Sequence, residues 1–331
     1  MTRARLCQVL LLAAAVPVPA VDPTLLQMVP PEARRIAGAN LQAARTSPLG
    51  LFLLQRSRMA PEDTGFRRFV GATGFDPRED LHEVLLASNG DPERQKAVLL
   101  ARGLFDVIRI TAYAVAQGIP ITRYSGAVVL VVTRAAERNS TVGPGWVAFV
   151  SGSIAVAGDA DWVRVAIDRH RRGGPPLDAR LTARVMDLSR QYQFWGISLV
   201  PGAQWLARAS DERVSALLRN HPLQGVLESS AGVKLGPEVV VDAELLARSS
   251  HDAVALADVV RLIVVLVTLN AKDPKAAEAA KWLPSLRATV EGSLVKISLR
   301  IPESELEKIL LAAQASPQPS PRRVLGRRPL Q

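Results

Sequence analysis

Two short groups of polar residues have the side chains and spacing that enzyme chemistry can use. Ser293 and Lys296 form the pattern S-x-x-K, in which a turn of helix places the lysine amine beneath the serine hydroxyl. The surrounding sequence reads as a strand or hairpin, where residues three apart point to opposite faces, so we interpret the pair as a turn followed by a solvated lysine. Asp159 and Asp161 could form an acid and base pair, but the start of a helix explains both carboxylates.

The histidines show no metal-ligand pattern. Four are scattered along the chain, and no two have the i, i+4 spacing of a zinc-binding helix: His82, His170, His221 and His251. The sequence also lacks a G-x-S-x-G elbow, a P-loop and a G-x-G-x-x-G motif. We therefore assign no catalytic, cofactor-binding or metal-binding residue and expect no cofactor. A hydrolase whose site is assembled from distant residues is kept as an alternative.

The first twenty residues predict export. Two arginines precede an apolar run from Leu6 to Val16, and the small residues Val18 and Ala20 occupy the −3 and −1 positions of a signal-peptidase site. The run is about half of the roughly 20 apolar residues that span a bilayer, and no second such run follows. We expect cleavage after Ala20 and a periplasmic or secreted protein, with retention of the segment as an anchor as the alternative.

Composition bears on the choice of partner. Cys7 is the only cysteine and lies inside the predicted signal, so the rest of the chain has no thiol for redox chemistry or metal binding. The net charge is +10, but two arginines of the signal and four among the last ten residues contribute much of it. The other arginines are scattered rather than clustered on one element, so we predict no nucleic-acid partner. Abundant Arg, Ala, Gly and Pro with few Lys are typical of a GC-rich bacterial genome.

Periodicity along the chain predicts an α+β fold. Strands are expected at 36–41, 83–90, 96–103, 127–133, 145–158, 192–200, 225–232, 238–245 and 286–301. Helices are expected at 48–58, 106–117, 159–172, 201–218, 252–269 and 303–314. Strands joined by short hairpins must be antiparallel, and helices that return after pairs of strands should cover one face of the sheet. The apolar stretch 262–269 is too short to span a membrane, so we interpret it as part of a buried central helix.

The order of elements is repeated within the chain. Residues 225–232 match 83–90, and 238–245 match 96–103 at the same offset, so we predict two similar β-α-β-β-α-β-β-α-like halves. The expected organisation is a signal peptide at 1–20, a first half at 21–178, a second half at 179–315 and a disordered, basic, Pro-rich tail at 316–331.

Residues 145–185, GWVAFVSGSIAVAGDADWVRVAIDRHRRGGPPLDARLTARV, read as strand, hairpin, strand, Gly-Asp cap and helix. This segment resembles uncharacterised secreted bacterial proteins grouped under domains of unknown function, and the resemblance implies export and fold but no activity. We predict a non-catalytic exported protein of the bacterial envelope that acts as a binding or structural module. An apolar small molecule or another envelope protein is the expected partner. As an alternative, a carrier would hold an apolar ligand in a dry pocket, best sought at the seam between the halves.

Overall fold

A computed structural model describes residues 21–55, 64–91, 93–132, 145–201, 225–269 and 281–315. The predicted signal at 1–20, the predicted tail at 316–331 and all but the first residue of the helix expected at 201–218 lie outside the described residues.

Twelve strands and ten α-helices are formed by the described residues. The strands are β1 (Arg35–Asn40), β2 (Leu81–Ser88), β3 (Ala97–Gly103), β4 (Ile121–Tyr124), β5 (Ala127–Val132), β6 (Gly145–Phe149), β7 (Ile154–Asp159), β8 (Phe194–Ser198), β9 (Val226–Lys234), β10 (Glu238–Ala247), β11 (Arg287–Glu291) and β12 (Leu294–Pro302). The helices are α1 (Pro23–Met28), α2 (Leu41–Ala44), α3 (Pro48–Gln55), α4 (Thr64–Thr73), α5 (Pro77–Asp80), α6 (Val107–Ala116), α7 (Ala160–Arg172), α8 (Ala179–Gln191), α9 (Ser250–Leu269) and α10 (Glu303–Ala315).

All twelve strands belong to one sheet, in the order β11-β12-β10-β9-β8-β1-β2-β3-β7-β6-β5-β4. Every neighbouring pair is antiparallel. Short hairpins, which require antiparallel strands, join β4 to β5, β6 to β7, β9 to β10 and β11 to β12. The predicted α+β class with antiparallel strands is confirmed. Strands β1 and β8, which are far apart in the sequence, lie side by side near the middle of the sheet.

One face of the sheet, here called the closed face, is covered along its middle by α1, α7 and α8. Its core combines Leu85 of β2 with Leu25 of α1, Ile167 of α7 and Val185 of α8 in one buried cluster. Successive strand residues point to opposite faces, so the neighbours of these strand residues point to the other face, here called the groove face.

Helices cover three parts of the groove face, and one of these parts is where α3 and α10 pack over Phe194, Val233 and Val241 of the middle strands. Helix α6 packs Ile110 against Ala101 and Phe149 on one side of the sheet, and α9 packs Leu256 against Val295 on the other. Helices therefore lie on both faces, whereas the sequence analysis expected one covered face. The physical reason is that these strands place apolar side chains on both faces, so each face gains from cover.

Helix α9 differs from its predicted environment. Its first half is buried against the sheet through Ala253, Leu256 and Ala257. Further along, Leu262 and Val265 are 46% and 51% exposed, so the expectation of a buried segment at 262–269 is wrong for these residues. No helix among the described residues is long and apolar enough to cross a membrane.

Candidate functional site

A row of small side chains crosses the middle of the groove face. Ala37 of β1 is paired with Leu86 of β2 on one side and with Gly196 of β8 on the other. Gly196 is paired with Ala231 of β9, which is paired with Ala243 of β10. Directly paired residues of neighbouring strands share a face, so these five residues form one continuous strip, here called the floor row.

A second row runs beside the floor row on the same face. Arg35, two residues before Ala37, is paired with Ser88 and Ser198, and Ser198 is paired with Ser229. These four residues are here called the polar row. The three serines are more than nine-tenths buried. Buried hydroxyl groups are costly beside apolar surface unless they form hydrogen bonds, so the polar row is an unusual feature of this face.

The two rows line a groove of ≈ 570 Å³ in the groove face, open to solvent. This volume lies within the range of about 300–1,000 Å³ that is common for small-molecule sites. The described residues that line the groove belong to strands or to the loop between β2 and β3, and none belongs to a helix. Leu86 at one end of the floor row is 48% exposed, so the groove presents apolar surface that nothing in the described chain covers.

The loop between β2 and β3 forms the rim of the groove beside the polar row. Gly90 lies at φ +70, a conformation that favours glycine, and a Cβ there would clash with Val200. The carboxylate of Asp91 accepts hydrogen bonds from the backbone N–H groups of Glu93 (2.8 Å) and Arg94 (3.0 Å), which lower its pKa. The carboxylate of Asp91 therefore stabilises its own loop through these two hydrogen bonds.

The described lining of the groove contains three serines, one arginine and one aspartate as its hydroxyl-bearing and charged residues besides Ser230. Among the described residues that line it, Arg35 is the one cationic side chain, and there is no histidine. The serines of the polar row therefore have no imidazole within the described lining to accept a proton, as a serine nucleophile would need. The hydrolase alternative gains no support from these residues.

A second cavity, of ≈ 510 Å³, lies on the closed face between α8 and the strands β9, β10 and β12. It is lined largely by charged residues that are already paired. Arg184 forms an ion pair with Glu244, and Arg180 lies 3.3 Å from Glu228. These ion pairs connect α8 to the sheet. Because the charged groups already pair with each other, fewer of them are available to bind a ligand in this cavity.

Ser293 and Lys296 do not form a catalytic pair, because the lysine is bound to a different residue. Ser293 follows Gly292 in the turn between β11 and β12, as the sequence predicted. The Lys296 Nζ atom donates to Glu291 Oε2 at 2.6 Å, and this hydrogen bond raises the pKa of the lysine. A lysine held as a cation by a carboxylate is not a base for serine.

Asp159 and Asp161 also have structural partners. Asp159 precedes α7 as predicted, but its Oδ2 accepts from the backbone N–H of Ala97 at 2.7 Å and makes no capping bond to the helix. Asp161 forms an ion pair with Lys96. The two carboxylates thus tie α7 to the start of β3 instead of facing each other as an acid and a base.

No three His, Cys, Asp or Glu side chains within the described chain are grouped closely enough to hold a metal ion. His221 lies outside the described residues, and the other three histidines do not line either cavity.

The sequence analysis suggested looking between the two predicted halves, but it did not identify the residues that line the groove. The floor and polar rows come from five strands that are far apart in sequence and meet only through strand pairing. The available signal was modest: Ala37, Gly196 and Ala231 are unusually small residues for the middle of predicted strands, and glycine in a strand often marks a close approach.

Comparison with known proteins finds no matching family model and no matching curated protein. The fold is similar to solved structures of TP0453. Crystal form I has a TM-score of 0.48 and 12% identity, covering 89% of this chain and 98% of that chain. Crystal form III has a TM-score of 0.49 and 11% identity, covering 88% and 99%. At such low identity and TM-score, the similarity assigns no ligand or activity to the groove.

Proposed function

We propose that this chain is an exported, non-catalytic bacterial envelope protein whose groove carries an apolar small molecule. The observation that supports the proposal is the open groove of ≈ 570 Å³ with its floor of small apolar residues. Monomeric proteins rarely leave a large apolar patch uncovered unless something binds there. The sequence favoured a binding or structural module and gave the carrier as an alternative; among the described residues, no feature comparable to the groove supports a structural role or an envelope protein partner.

Export rests on the signal-like first twenty residues. Val21, the residue after the proposed cleavage site, is buried in the core, and its backbone N–H donates to Ser189 Oγ at 3.1 Å. Cleavage after Ala20 would leave every described element intact. N-terminal sequencing of the protein from its native host should therefore read Val21 first, and a native protein that starts at Met1 would contradict export by cleavage.

Internal duplication is a further part of the proposal, with halves at 21–178 and 179–315. From the middle of the sheet outwards, one arm runs β1-β2-β3-β7-β6 and the other runs β8-β9-β10-β12-β11, so equivalent strands occupy equivalent places. Helices α6 and α9 also pack on the same face. Helix α10 departs from the pattern, since it packs on the groove face beside α3 while α7 packs on the closed face. We also propose that the chain belongs to a family of uncharacterised secreted bacterial proteins, which the segment 145–185 resembles.

The groove can be tested by filling it. Ala231 lies on the exposed floor, so Ala231→Leu adds a side chain where the ligand would lie, without disturbing the core. The matched control is Ala183→Leu, which makes the same change in the second cavity, on the exposed side of α8. We expect a neutral fluorescent probe, N-phenyl-1-naphthylamine, to bind the wild type and to lose about tenfold or more in affinity for Ala231→Leu alone.

Equal probe affinity for the wild type and Ala231→Leu, both folded by circular dichroism, would place any binding outside the groove and overturn the proposal. Absence of probe binding to the wild type would do the same. Mass spectrometry of molecules released from protein purified from its native host should then identify the natural ligand. We expect apolar or amphiphilic molecules to copurify with the wild type and not with Ala231→Leu.

A further inference from the structure

We propose that β11, at one edge of the sheet, pairs with β11 of a second copy of this chain, antiparallel and in register about Thr289, to form a two-fold dimer. This inference goes beyond the proposed function, since it concerns a surface outside the groove. Among the described residues, β11 is paired only with β12, so its other side carries backbone groups that the described sheet does not use. A strand edge of this kind is a template for pairing with a further strand.

The turn between β11 and β12 determines which backbone groups of β11 point outwards. Its loop has two residues, so Glu291 and Leu294, which close it, form a hydrogen-bonded pair. Hydrogen-bonded pairs alternate with non-hydrogen-bonded pairs along antiparallel strands, and the register makes Ala288 and Val290 members of the second kind. The N–H and C=O groups of these two residues therefore point away from β12, towards the open edge.

One symmetric register uses the outward groups of both residues. With Thr289 opposite Thr289 of the second copy, Ala288 lies opposite Val290 of that copy, and each such pair can exchange two backbone hydrogen bonds. The dimer then has a hydrogen bond for every outward N–H of Ala288 and Val290. A two-fold centre at Ala288 or at Val290 would pair that residue with itself and leave the other opposite a residue beyond the end of β11, so the register about Thr289 is favoured.

The charges of β11 fit the same register. Arg287 and Glu291 are exposed and lie at equal distances in sequence on either side of Thr289, so Arg287 of each copy lies directly opposite Glu291 of the other. Opposite charges in directly paired positions stabilise strand pairing. Arg287 has no partner among the described residues. Glu291 Oε2 accepts from Lys296 Nζ at 2.6 Å, and the other carboxylate oxygen can accept from the guanidinium.

The opposite edge of the sheet, formed by β4, lacks this self-complementarity. Its sequence, ITRY, contains one charged residue, Arg123, and no carboxylate. Two copies of β4 side by side would bring two arginines together without an acid to offset them, and charged residues on an edge strand discourage pairing. The contrast between the edges assigns the contact to β11 in both copies, which closes a dimer instead of an open chain of copies.

Helix α9 lies beside the β11 edge on the groove face and has apolar side chains to bury. Its buried cluster includes packing against Val290 of β11 and Ile297 of β12. Val254, Leu262 and Val265 of the same helix are exposed. The two-fold axis of the dimer is perpendicular to the joined sheet, so both copies carry α9 on the same face, one on each side of the joint. Burial of these side chains between the copies would stabilise the dimer further.

The test is sedimentation equilibrium of the purified protein over about a hundredfold range of concentration, where the wild type should show a reversible monomer–dimer equilibrium. Arg287→Glu places two carboxylates opposite each other at both charge pairs, and Glu291→Arg places two cations there. Either change should weaken the dimer about tenfold or more. Arg123→Glu, the same change on the β4 edge, is the matched control and should leave the equilibrium unchanged.

Mixing the two charge variants tests the register itself. In a pair formed by one copy of Arg287→Glu and one copy of Glu291→Arg, both charge pairs again join an acid to a base, so the mixture should dimerise about as well as the wild type. Ala288→Pro tests the backbone bonds without a change of charge. It removes an N–H that β12 does not use, which is where proline is tolerated in an edge strand, so this variant should fold and stay monomeric.

A wild type that stays monomeric throughout, or a dimer that survives both Arg287→Glu and Ala288→Pro, would overturn the inference. A mixture of the charge variants that stays monomeric would overturn the register about Thr289. Species larger than a dimer would show that the copies join by some other arrangement, and a different protein that copurifies with the wild type but not with Arg287→Glu would assign the edge to that partner. None of these outcomes changes probe binding in the groove, so the carrier function is tested separately.

Discussion

The two faces of the sheet differ most clearly at two neighbouring leucines of one strand. Leu85 points to the closed face and is fully buried beneath helices, whereas Leu86 points to the groove face and is 48% exposed. The same alternation continues across β1 and β8, where Ile36 and Ile197 lie in the core. Two successive apolar residues thus lie in different environments, because cover by helices, and not hydrophobicity, decides which of them is buried.

The size of the side chains follows the same division. Towards the closed face, the large side chains of Ile36, Leu85 and Trp195 belong to one buried cluster with residues of α1 and α7. Towards the groove face, three of the five residues of the floor row are alanines and one is a glycine. Large side chains fill a dry core at high density, while small ones leave a depression that another molecule can occupy.

The strongest test of this contrast is a pair of identical substitutions. Leu85→Ala removes a fully buried side chain and should lower the free energy of unfolding by about 2–5 kcal/mol. Leu86→Ala, one residue further along, should lower it by less than about 1 kcal/mol, because that side chain is already half in water. Urea unfolding of both variants measures the difference.

Similar losses for the two leucines would show that the groove face is packed in solution, with Leu86 beneath a cover. Such a result would remove the main support for the groove. A large loss for Leu85→Ala with a small loss for Leu86→Ala would sharpen the contrast between the faces.

The fold class and most of the strands could be predicted from the sequence, because short hairpins and alternating apolar residues are local signals. The turn at Gly292 and the start of the helix near Asp106 could be predicted in the same way. Helix α8 was not predicted, although Leu181, Val185 and Leu188 have the spacing of a helix face.

The candidate site could not be predicted residue by residue. Arg35 and Ser229 are brought together by strand register across β1, β8 and β9, which no local pattern encodes. Nor does the sequence reveal which apolar face a helix covers, because that depends on where helices distant in the chain pack. The general location was easier to expect, since the groove crosses β1 and β8, which belong to the two halves that the sequence predicts.

The pKa of Glu83 allows a further test, with a smaller expected effect, of how the closed face is covered. It shares that face with Leu85, and the backbone N–H of Asp22, before α1, donates to both of its carboxylate oxygens at 3.2 Å. Burial raises the pKa of Glu83 to about 7 from an ordinary value of 4.5, and the nearby Asp22 charge adds to this. The Asp22 hydrogen bond and Arg102, which forms an ion pair with Asp22, act in the opposite direction.

The folded protein therefore binds more protons than the unfolded chain between pH 4.5 and about 7. The contribution of Glu83 to stability is fully present below this window and is lost as the pH rises through it. Over that range the free energy of unfolding should fall by about 1–3 kcal/mol more in the wild type than in Glu83→Gln, which keeps the size of the side chain but cannot ionise. Glu93→Gln, in the exposed loop between β2 and β3, should keep the wild-type slope. If Glu83→Gln retained the full pH dependence, the carboxylate would have to be solvated, and α1 could not be packed over this edge of the closed face as the structure shows.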